Sequence, residues 1–125
     1  MSGALILIVE DNPKNLKLFR DVLQFKGYQT IEAESAEAGI ALARERKPAL
    51  ILMDIQLPQM NGDEAMKVLK ADDTTRHIPI VAVTSFAMKG DRERLLADGF
   101  NAYVSKPIDI KELPQIVEHQ LSEQS

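Results

Sequence analysis

The chain has no cysteine and no tryptophan among its 125 residues. Without cysteine there is no disulfide framework, no thiolate chemistry and no cysteine-based zinc or iron–sulfur site. Aromatic side chains make up only 5%, so the core must be built from Leu, Ile, Val, Ala and Met. A dominant charge of one sign is also missing: 15 basic against 19 acidic residues give a net charge of −4. That acidic balance offers no electrostatic reason to bind nucleic acid. Long hydrophobic runs are absent too. The most continuous one, Ala4–Val9, falls far short of the ~20 residues that a membrane span requires. Glu10 and Asp11 follow it with no small-residue cleavage site, so it does not read as a signal peptide.

What is present is ordinary for a globular protein. Hydrophobic residues at 45% and charged residues at 27% argue against disorder. The length suits one domain and can bury roughly two-thirds of the unfolded surface. The expectation is a single soluble domain of a reducing compartment, hence cytoplasmic, with no nucleic-acid or membrane partner.

Short apolar runs alternate with helical patterns along the whole chain. The runs are Ala4–Val9, Tyr28–Ile31, Leu50–Met53, Ile80–Val83 and Ala102–Val104. The first and fourth do not alternate polar with apolar, the pattern of strands buried on both faces of a parallel sheet. Asn12 can cap a helix that begins at Pro13 and stops at Gly27. Ser35 can cap a second, through about Arg46, ended by Pro48. A third is expected from Gly62 or Asp63 to Lys70, a fourth near Lys89–Ala97, and a fifth from Ile110 to Leu121. Five βα units in succession imply an α/β fold: an open, doubly wound parallel sheet with helices on both faces. The first helix carries two apolar stripes. Leu16, Phe19 and Leu23 share one face; Leu18, Val22 and Phe25 fall roughly opposite. One stripe must face the core, and the other is either a wide core band or a docking surface.

Ligands of such sheets bind outside the carboxyl ends of the strands. Strand one ends in Glu10-Asp11, strand three in Asp54, strand four in Thr84-Ser85 and strand five in Ser105-Lys106-Pro107. Three carboxylates, a hydroxyl and an ammonium therefore meet on one rim. Glu10, Asp11 and Asp54 against Lys106 leave an excess of two negative charges, unfavourable unless neutralised. One divalent cation balances the cluster. All-oxygen, carboxylate-rich ligation favours Mg²⁺ or Mn²⁺ over zinc. A metal there can offset charge on phosphoryl oxygens, and an Asp carboxylate is a nucleophile toward phosphorus.

Val9-Glu10-Asp11-Asn12, Ile51-Leu52-Met53-Asp54-Ile55-Gln56-Leu57-Pro58, Met60-Asn61-Gly62, Val83-Thr84 and Lys106-Pro107 resemble the receiver domain of bacterial response regulators. The resemblance covers essentially the whole chain. The stretches His77–Thr84 and Phe86–Asp91 look particularly like the single-domain cell-division regulators of alphaproteobacteria. The likeness implies the flavodoxin/CheY-like sandwich with strand order 2-1-3-4-5. It makes Asp54 the phosphoryl acceptor, with Glu10, Asp11, Asp54 and the Gln56 carbonyl holding Mg²⁺. Lys106 would pair with Asp54 or the phosphoryl group, Thr84 would turn its hydroxyl to a phosphoryl oxygen, and Tyr103 would swing inward behind it. The Lys106–Pro107 bond would be cis. Gln56 and Phe86 would tune hydrolysis of the phosphoryl group. Partner contact would involve Asn12, Asn15, Leu18, Val22 and Pro107. The implied donors are a sensor histidine kinase or a phosphotransfer protein, with a downstream protein target, in a chain that is a monomer or weak dimer.

Other residues read as structural. Ser85 and Ser105 are expected to bond local backbone, and Gly62 to serve a turn. His77 and His119 are expected to be solvated. Met53, Met60, Met66 and Met88 read as packing residues. A competing enzyme reading is a haloacid-dehalogenase-type phosphatase, but that class wants an Asp where Gln56 stands. A flavodoxin-like electron carrier lacks support because the first loop has no hydroxyl- and glycine-rich phosphate cradle. Little chain remains after the fifth helix, so output is expected through protein contact or phosphate flow, without turnover of an external substrate.

Overall fold

The computed structural model describes residues 3–85 and 90–123. Strands and helices alternate along the chain: β1 (Leu5–Val9), α1 (Pro13–Phe25), β2 (Gln29–Ala33), α2 (Ala36–Arg46), β3 (Leu50–Asp54), α3 (Gly62–Ala71), β4 (Ile80–Thr84), α4 (Asp91–Asp98), β5 (Ala102–Ser105) and α5 (Glu112–Glu123). The strands form one parallel sheet in the order β2-β1-β3-β4-β5, the order that the resemblance implies.

Because side chains alternate across a strand, each central strand feeds two cores. Ile6 and Ile8 of β1, Leu50 and Leu52 of β3, and Val81 and Val83 of β4 pack with Phe19 and Leu23 of α1 and Leu113 and Val117 of α5. Leu7, Val9, Ile51, Met53, Ile80 and Ala82 face the other way, onto α2, α3 and α4 through Ile40, Met66, Leu69 and Leu95. All five residues of β3 and of β4 are buried. The continuous apolar runs are thus the signature of strands covered on both sides. Gly39 seats α2 close against β1: a Cβ there would lie 2.7 Å from Val9 Cγ2.

The helix ends have local causes. Asn12 accepts from Lys14 and Asn15 N–H at 2.9 and 3.3 Å, capping α1 with Pro13 at its first position. Ser35 caps α2 through Ala38 N–H, and Asn61 caps α3 through Glu64 N–H. Two boundaries differ from expectation. Strand two is shifted to Gln29–Ala33, because Tyr28 closes the α1 terminus instead, its N–H donating to Leu23 O. As a sheet edge, β2 also carries polar residues that hide its apolar pattern. Helix α5 starts at Glu112 rather than Ile110 because Asp109 accepts from Lys111 and Glu112 N–H at 2.8 and 3.2 Å. Helix α4 runs Asp91–Asp98; Lys89, expected to open it, lies outside the described residues, as do Phe86 and Met88.

The two stripes of α1 are resolved. Phe19 and Leu23 are buried in the core, while Leu18, Val22 and Phe25 line a groove against Tyr28, Ile110 and Pro114 of the α5 side. Val22 shares itself between groove and core, and Phe25 is 87% exposed. Among the described residues no helix is long and apolar enough to cross a membrane.

Candidate functional site

Parallel strands deliver their carboxyl ends to one rim, and the register makes that rim compact. Val9 stands opposite Met53, Asp54 opposite Val83, and Thr84 opposite Ser105. Each residue just beyond or at these positions is polar: Glu10, Asp11, Asp54, Thr84 and Lys106. Ladder-like bonds continue past the strands, with Glu10 N–H on Ala33 O at 3.0 Å, Ile55 N–H on Val83 O at 3.1 Å and Lys106 N–H on Thr84 O at 2.8 Å. The functional side chains therefore sit on rigid backbone.

Asp54 and Glu10 are each only 1% exposed, whereas Asp11 faces solvent. The Lys106 ammonium lies 3.0 Å from Asp54 Oδ2 and 3.2 Å from Glu10 Oε1. The other Asp54 oxygen, Oδ1, accepts from Gln56 N–H at 2.9 Å. Glu10 Oε2 accepts from Asn12 N–H at 3.1 Å, so buried Glu10 Oε1 is left to share the one Lys106 ammonium with Asp54. Burial first, and then the Asp54 charge, push the Glu10 carboxyl from 4.5 up to about 7. Burial alone would lower the Lys106 ammonium, but Asp54 and Glu10 outweigh it and hold it above the usual lysine value. One lysine thus does not satisfy the cluster.

Carboxylate oxygens of Glu10, Asp11 and Asp54 all lie within 4.8 Å of one another. Three carboxylates, all offering oxygen, against one ammonium fit a hard divalent cation such as Mg²⁺. Oxygen-only ligands open to water on the Asp11 side match the ion that keeps part of its hydration shell.

Thr84 is fully buried at the end of β4. Tyr103 is half-buried, packs against the α2–α4 side of the sheet and lines a groove with Leu96 of α4 and Ile116 and His119 of α5. The Lys106–Pro107 peptide bond is cis. Asn12 and Pro107 are exposed on the rim, Asn15 half-buried behind them, and Leu18 and Val22 continue along α1. His77 and His119 are both exposed; His119 pairs with Glu123 at 3.2 Å. The tuning role expected of Phe86 concerns a residue outside those described.

Two features escaped the sequence. Gly62 does more than serve a turn: a Cβ there would stand 2.5 Å from Asp54 O and 2.7 Å from Ile55 Cα. The first residue of α3 is pressed against the backbone of the acceptor strand, and only glycine fits. Ser85 bonds no local backbone among the described residues. Its Oγ–H and its N–H both donate to Gln56 Oε1, tying the loop after β4 to the loop after β3. A glycine opening a helix beside a strand-end Asp is the only trace of the first in the sequence; the second needs the register.

Comparison with known proteins agrees with this geometry. The receiver domain family of response regulators matches residues 6–118. The polar-differentiation response regulator DivK of Brucella anthropi is 53% identical over 113 residues, which are 90% of this chain and 89% of that protein. The receiver domain of a sensor histidine kinase from Pseudomonas aeruginosa, with a magnesium ion coordinated in its active-site cleft, superposes with TM-score 0.88 and 34% identity, covering 97% of this chain and 99% of that one. A CheY-like receiver from Methanospirillum hungatei gives TM-score 0.86 and 32% identity over 98% and 97% of the two chains. Nothing in these findings supports the haloacid-dehalogenase alternative. With its sheet order, its acidic rim and its kinship in accord, the chain belongs to the response regulator receiver domain family, the phosphoacceptor switches of two-component signalling.

Proposed function

We propose that Asp54 is the phosphoryl acceptor and that this protein switches protein–protein contacts when Asp54 is modified. The observation that carries the reading is the buried Asp54 carboxylate, gripped by Lys106 at 3.0 Å beside a second buried carboxylate, Glu10, that shares the same ammonium at 3.2 Å. Glu10, Asp11, Asp54 and the backbone carbonyl of Gln56 would hold Mg²⁺, with Mn²⁺ as a substitute. The bound cation supplies charge neutralisation on the phosphoryl oxygens.

In the transfer, an Asp54 carboxylate oxygen attacks phosphorus in line. The bond from phosphorus to the donor's histidine nitrogen breaks as the new P–O bond forms, and the leaving imidazole takes up a proton. Gln56 N–H, fixed on Oδ1, leaves one carboxylate oxygen oriented for attack. Lys106 stays beside the same carboxylate and holds the extra negative charge that the phosphoryl group brings. Thr84 then offers its hydroxyl to a phosphoryl oxygen, and Tyr103, on the same side of the rim, moves inward. That rearrangement of the α4–β5–α5 face is the output.

The phosphoryl group would come from a sensor histidine kinase or phosphotransfer protein docking at Asn12, Asn15, Leu18, Val22 and Pro107. Kinship with the polar-differentiation regulators DivK supports a role in cell-cycle or cell-division control in the cytoplasm. Output would pass by contact with a downstream protein, with a single receiver domain as the working unit and no turnover of external substrate. Incubation with acetyl phosphate and Mg²⁺, read by intact mass, should give one phosphoryl adduct in the parent and none in Asp54→Asn. Undiminished adduct in that variant would refute the assignment.

A further inference from the structure

Helices α1 and α5 lie on one face of the sheet and share a core through Phe19, Leu23, Leu113 and Val117. Outside that core they leave an open groove of about 830 Å³, floored by Leu18, Val22, Tyr28 and Pro114. Its lips carry the two most exposed large apolar side chains among the described residues, Phe25 at 87% on the α1 side and Ile110 at 58% on the α5 side. Apolar surface gathered in this way marks a protein contact. The lips also carry charge in a definite order. Each helix follows a strand of a parallel sheet, so α1 and α5 both start at the Asp54 rim and run the same way. Down the α1 lip the acid comes first, Asp21 and then Lys26; down the α5 lip the base comes first, Lys111 and then Glu118. By helical rise the two spacings are about 8 and 10 Å. No ion pair crosses the groove among the described residues. Asp21 pairs with Lys17 and Arg20 of its own helix, and Lys26, Lys111 and Glu118 pair with none.

That order is self-complementary. A two-fold axis along the groove sets α1 of one copy against α5 of another, running the same way. Asp21 then meets Lys111 of the second copy and Lys26 meets its Glu118, and symmetry makes each pair twice. Both Phe25 rings and both Ile110 side chains leave water in the same step. The lips sum to zero charge, two acids against two bases, so a partner of uniform charge gains nothing there that a second copy does not. We propose that the α1–α5 groove binds a second copy of this chain, forming a weak symmetric dimer. Leu18 and Val22 also belong to the stripe assigned above to the kinase, so dimer and kinase exclude one another. The protein's own concentration then sets how much of it is open to phosphorylation, and in dilute solution the stripe is free. This consequence rests on the kinase-docking reading, whereas the dimer does not.

Sedimentation velocity tests it on the unphosphorylated, metal-free protein. Between about 10 μM and 1 mM the parent should show a monomer–dimer equilibrium, the affinity range of a small interface. Phe25→Ala should weaken the dimer about tenfold or more, because a buried aromatic carries much of such a contact. Lys26→Glu and Glu118→Lys, each alone, should also weaken it by about tenfold, since like charges then meet twice across the two-fold. An equimolar mixture of these two variants should dimerise again, because each offers the charge that the other lacks. A parent that stays monomeric throughout overturns the proposal. So does a dimer indifferent to Phe25→Ala, or a mixture that associates no better than its parts. A monomeric parent whose phosphotransfer is slowed by Phe25→Ala would give the groove to the kinase alone. Absence of an adduct on Asp54 would defeat the acceptor reading and leave the sedimentation result to decide the dimer by itself.

Discussion

Replacing Gly62 by alanine adds a single methyl group where α3 meets the acceptor strand. The new Cβ would sit 2.5 Å from Asp54 O, about 0.9 Å inside the 3.4 Å at which ordinary contact begins, and 2.7 Å from Ile55 Cα. Both neighbours are backbone atoms, so no side-chain rotamer can relieve the clash. Either α3 retreats or the end of β3 gives way. Overpacking of this kind costs about 1–3 kcal/mol, and alanine's helix propensity returns at most about 1 kcal/mol, less at a first helical residue. The net loss should be about 1–2 kcal/mol, read as a lower urea midpoint at unchanged slope. Because the displaced backbone includes Gln56 N–H on Asp54 Oδ1, phosphorylation by acetyl phosphate should slow by about tenfold or more under conditions where the variant is fully folded. A Gly62→Ala protein as stable as the parent, or more stable, would refute the close approach and the reasoning built on it.

Four further outcomes follow from the same geometry. Metal-free protein should lose stability as pH rises from 4.5 through about 7, because the folded state holds a proton on Glu10 that the unfolded state has released; chemical denaturation across that range should show the loss, and Glu10→Gln should flatten it. Asp72, held down to about 2 by Thr74 N–H and hydroxyl and by Arg44, contributes stability above 3.8 that disappears as pH falls toward 2, so Asp72→Asn should weaken the acid dependence of the urea midpoint. Leu23→Ala, in the core, should cost about 2–5 kcal/mol, whereas Phe25→Ala, at 87% exposure, should stay within about 0.5 kcal/mol and instead weaken kinase docking in a phosphotransfer assay. Lys47, the α2 cap at φ 45°, should gain about 0.5 kcal/mol on replacement by glycine, whose freedom at positive φ outweighs its entropy in the unfolded chain.

The sheet was legible because its central strands are buried on both faces and so carry unbroken apolar runs. At the β2 edge, where Gln29, Thr30 and Glu32 interrupt the pattern, the boundary slipped. The start of α5 slipped because apolar Ile110 extends the helical spacing, while the cap is set by Asp109. The acidic rim was legible for a topological reason: parallel strands put Glu10, Asp11, Asp54, Thr84 and Lys106 on one edge wherever the strand ends fall. What spacing cannot give is distance between loops. Ser85 and Gln56 are far apart in sequence, and only the β3–β4 register brings them into contact. Gly62 is similar, since the need for a missing Cβ depends on how closely a helix approaches a strand. Which stripe of α1 turns inward also waited on the packing of α5.

The most direct test of the account locates the modification itself. Protein treated with acetyl phosphate and Mg²⁺ should be reduced with borohydride, which converts an aspartyl phosphate to homoserine, and then mapped by peptide mass spectrometry. Homoserine should appear at position 54 alone, dependent on Mg²⁺ and suppressed when Lys106 is replaced by alanine. Aspartate intact at position 54, with homoserine at position 11, 2-amino-5-hydroxypentanoic acid at position 10, or no reduced residue at all, would contradict Asp54 as the acceptor.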